Sequence, residues 1–357
     1  MAYSGGPSDK DVKRLKDFFI KKSELTLKYT NGPAMRLMAF SKTNLPREEW
    51  RERTKRKFAE LLGMPSMHPT YESVTELRKM DMEGVTIHAL VMQIDNTLSI
   101  PAYLLVPDNP KTVKIPVMAI HGHGDVEPSI GSMDEYHHYY ALELAKDGHT
   151  VLAPELRGFS TLGDLDDGIP VDRLDYWVNG TNFTAVTDAF LYGKTLVGET
   201  VEDLLRWENW FANTENFDQL DVTGISYGGD LSIYYPVFSH RVHRIFASGT
   251  FGSFTLIYKK CHNAPAHGIP HVLKWMDRAD IAGLNAPTPI MFHYGAYDTT
   301  SATNASAAYN GSVPEALKEL KVIYKAFGAP DNAIQEYVSQ GKHHEYDIPK
   351  LLEYLDE

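Results

Sequence analysis

Apolar positions recur at helical spacing in two early stretches, DVKRLKDFFIKKSEL and EEWRERTKRKFAELLG, so residues 9 to 62 read as helical. Gly63 stands where a C-cap would end the second helix, and Pro46 near its start, where proline is tolerated. From Val85 the period changes. TIHALVMQI and SIPAYLLVP are β-rich runs parted by Asp95-Asn96, a hairpin-like pair. Short apolar runs then alternate with helical stretches. Strands are expected over 116–120, 150–153, 220–225, 245–248, 289–294 and 333–339, with helices over 136–146 and 200–212. Continuous apolar strands between helices predict an α/β fold: a mostly parallel central sheet flanked by helices, with the hairpin adding antiparallel strands at one edge.

Residues 160–199 break this rhythm. They are rich in Gly, Asp, Thr and Asn and carry Tyr176 and Trp177. Long excursions inside compact domains tend to be functional, so this one reads as a lid-like insertion over the carboxyl edge of the sheet. The chain thus divides into an N-terminal helical extension over 1–84, packed on the core, and an α/β domain over 85–357 that contains the insertion. The N-terminal helices are the place to look for a homo-oligomer interface.

Charge and composition narrow the partners. Lys and Arg number 35 against 47 Asp and Glu, a net charge of −12, and a polyanion-binding surface needs the opposite balance. No nucleic-acid partner is expected. No apolar run is long enough to span a bilayer, and the first residues lack an apolar segment behind a basic start, so no membrane partner and a cytoplasmic location are expected. Cys261 is the single cysteine, which excludes an intrachain disulfide and a thiolate metal cluster.

The chemistry concentrates at three places. LDVTGISYGGDLSIYY sets Gly224, Ser226 and Gly228 in a G-x-S-x-G pattern between an apolar strand and a helix. Such a serine sits on a tight, strained turn that aims Oγ outward, and larger side chains two residues away would collide. A serine hydroxyl is a weak nucleophile and needs a base that is itself oriented by a third group. PIMFHYGAYD ends an apolar strand in Asp298, a candidate acid. AIQEYVSQGKHHEYD ends another in His343 and His344, either of which qualifies by position as the base. Two N–H donors are needed for the oxyanion. Tyr227, directly after the serine, offers one; His123, in the His121-Gly122-His123-Gly124 turn after the strand at 116–120, offers the other. A metal reading of the His-x-His pair finds no further Cys or carboxylate cluster at ligand spacing, so no metal and no cofactor is expected.

With these residues in hand, the chain resembles the acetyl-xylan-esterase-like and dienelactone-hydrolase-like branch of the α/β-hydrolase superfamily. The resemblance runs over about residues 85–357 and is carried by HGHG, APELRGFS, AFLYGKTLVGETVEDLLRWENWF, GISYGG and HGIPHVLKWMDRADIAGLNAPTPIMFHYGAYD. It implies the α/β-hydrolase fold. The family ends its triad on Gly-Gly-His-Glu-aromatic; Lys342, His343, His344, Glu345 and Tyr346 match that stretch, which makes His344 the base and replaces the two glycines. Thr288 stands where the family commonly has an arginine, and Arg157 falls in the family's Arg-Gly turn, which braces loops.

The resemblance implies a serine carboxylesterase acting on a small-molecule ester with a small acyl group, acetyl above all, through an acyl-enzyme. Activity is then expected to fall in acid, where a general base is protonated. Two alternatives stay open: another bond (lactone, thioester, amide or C–C) cleaved by the same residues, and an idle binding module on the same fold. Tyr176, Trp177 and Phe183 of the insertion, with Cys261 and His262, are the expected substrate contacts.

Overall fold

The computed structural model of the chain describes residues 34–110, 112, 114–159, 162, 183–254, 265–298 and 305–357. Among them, nine strands form one sheet: β1 (Ser73–Met82), β2 (Val85–Gln93), β3 (Ser99–Pro107), β4 (Val117–Ile120), β5 (Val151–Pro154), β6 (Leu220–Ile225), β7 (Val242–Ser248), β8 (Ile290–Gly295) and β9 (Ile334–Ser339). Their order is β1-β2-β3-β5-β4-β6-β7-β8-β9. The first three strands and the β3–β5 contact are antiparallel; every later pairing is parallel. The central strands β4, β5, β6 and β8 are buried along their whole length, as continuous apolar runs covered on both faces must be.

The hairpin turn lies where its sequence puts it. The Asp95 carboxylate accepts from the N–H groups of Thr97 and Leu98, and β2 then pairs with β3 from Gln93–Ser99 to Val85–Pro107. β1 is a correction. It lies inside the stretch assigned to a helical extension, so the division at residue 84 separates two paired strands. SVTELRKMDM is an edge strand with no buried residue and therefore shows no alternation to read.

Among the described residues the longer helices are α1 (Arg47–Leu62), α2 (Tyr140–Lys146), α3 (Phe183–Leu191), α4 (Leu196–Glu215), α5 (Tyr227–Tyr234), α6 (Ala305–Ala326) and α7 (Ile348–Leu355), with shorter ones at Glu127–Ile130, Val272–Trp275 and Arg278–Gly283. Gly63 ends α1 with φ +69, and residues 9–33 lie outside the described part. α1 buries Trp50, Phe58 and Leu62. Phe58 stacks on Phe238 at 5.9 Å and meets Tyr234 edge-on at 5.5 Å. Burial of such side chains contributes about 1.5–3 kcal/mol each. The Leu62 carbonyl accepts from Thr195 N and Oγ1. Gly198, whose absent side chain would lie 2.1 Å from that carbonyl, lets α4 come this close.

α2 begins four residues later than its apolar pattern indicates. His138 and Tyr139 have φ of +50 and +55, so Tyr136 to Tyr139 form a turn instead of helix. The insertion is partly helical: α3 and the start of α4 occupy its second half, and residues 163–182 lie outside the described part. No helix among the described residues is long and apolar enough to cross a membrane.

Candidate active site

β4 lies between β5, the next strand in sequence, and β6, so the chain reverses its direction across the sheet at this point. Crevices at such switch points are where open α/β sheets place ligands. β6 ends there in Ser226. Its backbone, φ +58 and ψ −116, is a conformation that costs a non-glycine residue on the order of 1–3 kcal/mol. Surrounding contacts impose it. Ser226 N–H donates to Ser248 O at 2.9 Å, and Asp230 N–H donates to Ser226 O at 3.1 Å. The flanking glycines are required by contact. A Cβ on Gly228 would lie 2.0 Å from Ile120 O, and one on Gly224 would lie 2.2 Å from Gly228 O. Tyr227 is the first residue of α5, so its N–H has no intrahelical acceptor.

Asp298 follows β8 and is buried. His344 follows β9, and its Nδ1 lies 3.1 Å from both carboxylate oxygens of Asp298. The two loops are clipped together: Ala296 N–H donates to Ser339 O and Tyr297 N–H to Lys342 O, each at 2.9 Å. Gly295 makes room for the crossing, since a Cβ there would lie 2.0 Å from His343 O. His343 is exposed, and its Nδ1 lies 3.1 Å from Tyr297 O. Lys342 Nζ donates to Tyr346 O at 3.3 Å. These contacts are what Lys and His make in place of two glycines. The end of β7 touches both loops: Ser248 O receives the Ser226 N–H, and a Cβ on Gly249 would lie 2.6 Å from His344 Cε1.

The loop after β4 forms the opposite wall. His121 is buried; its Nε2 accepts from Leu156 N–H at 3.1 Å, so Nδ1 carries the proton and donates to Gly122 O at 2.8 Å. Burial pushes this imidazole down to about 4. With both nitrogens spent on main chain, His121 braces the loop and offers nothing to a metal. Gly122 N–H donates to His137 Nε2 at 2.9 Å, which leaves His123 as the next amide along the loop. The His123 ring is held down to about 3 by burial and by the neighbouring His267. Tyr136, which the pattern places in a helix, donates its hydroxyl to His123 O at 2.7 Å and sets its ring 5.5 Å from that of His344.

Arg157 binds Asp203 through Nε at 2.5 Å and Nη2 at 3.0 Å, so it braces the turn after β5. A cavity of about 710 Å³ opens beside it, lined among others by Leu98, Tyr192, Lys194 and Glu199. Phe159, next in the chain to the lining residue Gly158, sets its ring 5.1 Å from His123 and 5.5 Å from Tyr227. Tyr176, Trp177, Cys261 and His262 lie outside the described residues; Phe183 opens α3, its side chain undescribed. Asp147, His149 and Asp356 bring donor atoms within 4.8 Å of one another. Lys114 Nζ already binds both of these carboxylates, at 2.5 Å and 2.7 Å, and meets their charge.

Sequence reasoning missed Tyr136, His137, Gly249, Asp230 and His267. None carries a local signal, because each acts on a residue distant in the chain.

No protein-family model matches the chain, and no curated protein is similar to it. Solved structures are. A Bacteroides fragilis protein provisionally assigned as an acetyl xylan esterase matches with TM-score 0.67 at 16% identity, over 90% of this chain and 82% of that one. A glucuronoyl esterase from Solibacter usitatus matches with TM-score 0.58 at 11% identity, over 91% and 97%. Acetyl xylan esterase 1 from a Thermoanaerobacterium species matches with TM-score 0.53 at 17% identity, over 88% and 100%. What these structures share with the chain at such identities is its architecture, and the chain has the α/β-hydrolase fold.

Proposed function

We propose that the protein is a serine carboxylesterase acting on esters of a small acyl group. The observation that carries this reading is that one strand end, Ser248–Gly249, touches both a strained serine on a strand-to-helix turn and a histidine whose Nδ1 rests on a buried aspartate. That aspartate fixes the imidazole so that Nε2 is the basic nitrogen. His344 takes the Ser226 proton as Oγ attacks the ester carbonyl. The N–H groups of Tyr227 and His123 bind the oxyanion. The tetrahedral intermediate collapses, the alcohol leaves with the proton from His344, and water, deprotonated by the same imidazole, releases the acid. The esterase names of the similar structures support a carboxylic ester as substrate, and their acetyl xylan esterases support a short acyl group.

The test compares wild type with Ser226→Ala on p-nitrophenyl esters from acetyl to octanoyl. Wild type is expected to favour the short esters, and the folded variant to lose nearly all turnover. Wild type inactive on every ester would remove the reading and direct attention to lactones, amides and diketones.

A further inference from the structure

The two proposed oxyanion donors come from separate stretches of chain, α5 and the loop after β4, and a chain of side chains joins them. Asp230 lies one turn beyond Ser226 on α5 and is buried. Its carboxylate receives His267 Nδ1 at 2.6 Å, Arg278 Nη2 at 2.5 Å and the Thr250 hydroxyl. On its other side the His267 ring stacks on His123, centroids 5.2 Å apart and planes 18° apart, and meets the Tyr227 ring edge-on at 5.0 Å. Burial alone would raise the Asp230 carboxyl, but Arg278, His267 and Thr250 bring it down to about 2, so it is ionised in working conditions. An ionised carboxylate only accepts, so His267 carries a proton on Nδ1 and its ring plane is fixed.

We propose that His267, held by Asp230, is a positioning residue that sets the oxyanion loop in register with α5. Of the three partners of Asp230, His267 is the one whose ring contacts His123. A donor must be held within about 0.5 Å of its productive place to act on the developing charge. The loop carrying His123 is thereby tied to the helix that carries Tyr227. The proposal rests on the esterase reading above.

Three variants test it. His267→Ala removes the stack and the bond to Asp230, His267→Phe keeps a flat ring without the bond, and Asp230→Asn removes the charge with little change of shape. With p-nitrophenyl acetate, kcat is expected to fall roughly 10- to 100-fold in His267→Ala and Asp230→Asn, within the loss of one oxyanion donor, and less in His267→Phe. KM should stay within about twofold, since ground-state contacts are untouched. Affinity for a trifluoromethyl ketone, which forms an oxyanion on Ser226, should fall in proportion to kcat/KM, while affinity for acetate is unchanged. A purely structural role would not separate those two ligands. If His267→Ala does not fold, His267→Phe carries the comparison. Unchanged kcat and ketone affinity in folded His267 variants would overturn the proposal, as would a rise in KM alone. An inactive wild type would instead remove the esterase reading itself.

Discussion

The imidazole of His344 lies against the α-carbon of Gly249, where a methyl group would come within 2.6 Å of Cε1 and 2.9 Å of Nδ1. Gly249 also has φ +61 and follows Ser248, the residue that receives the Ser226 N–H. One position thus links the strand end that holds Ser226 to the imidazole of His344. Gly249→Ala should push the ring off Asp298 and lower kcat/KM by on the order of 10²-fold, the cost of about 1 Å of misplacement. Circular dichroism should stay native-like. Full activity in the variant would show that the imidazole tolerates the displacement.

The two adjacent histidines should behave differently. His344 reaches Asp298, whereas exposed His343 sets its Nδ1 3.1 Å from the Tyr297 carbonyl. His343→Ala is expected to keep activity within a few-fold and His344→Ala to lose on the order of 10⁴-fold or more, read as kcat on one short ester. The reverse ranking would move the base to His343.

Asp298→Asn preserves shape but can present its amide to Nδ1, which favours the tautomer with the proton on Nε2, where it blocks proton uptake. A fall in kcat on the order of 10⁴-fold is expected, with KM little changed. A loss below tenfold would mean that another group orients the base.

Acid should destabilise the fold through buried imidazoles. Burial pushes His121 and His293 down to about 4 from the usual 6.5; His293 bridges Ser248 Oγ and Ser339 Oγ. The unfolded chain takes up these protons below 6.5 and the folded chain does so only near 4. The stability is therefore complete above pH 6.5 and is lost as the pH falls towards 4, at up to about 1.4 kcal/mol per pH unit for each histidine. Urea midpoints measured from pH 7.5 to 4 should decline over that window. His293→Gln should reduce the slope, and identical slopes in the two proteins would rule out this source.

Much of the site is legible in the chain because its chemistry is tied to local signals. The elbow announces itself as Gly224-x-Ser226-x-Gly228, and the candidate acid and base follow apolar strands at the ends where such groups would stand. The choice of His344 over His343 rests on the likeness of Lys342–Tyr346 to a family pattern; in the fold His344 Nδ1 lies 3.1 Å from Asp298. β1 was not legible because an edge strand exposed along its length need not alternate. Nor was the turn at Tyr136–Tyr139, whose apolar spacing is helical. The left-handed backbone of His138 and Tyr139 is held by contacts to distant residues, including His138 Nε2 to Glu345 at 2.7 Å.

The sequence by itself determined the parallel core, the hairpin at its edge and the three chain positions at which a nucleophile, an acid and a base can stand, because strand periodicity and turn chemistry are local. Only the tertiary structure decided what surrounds them: Gly249 under the imidazole, Tyr136 between His344 and the loop carrying His123, and Asp230 joined through His267 to His123. Each of these joins residues far apart in the chain, and such contacts form only when the packed sheet brings the strand ends together.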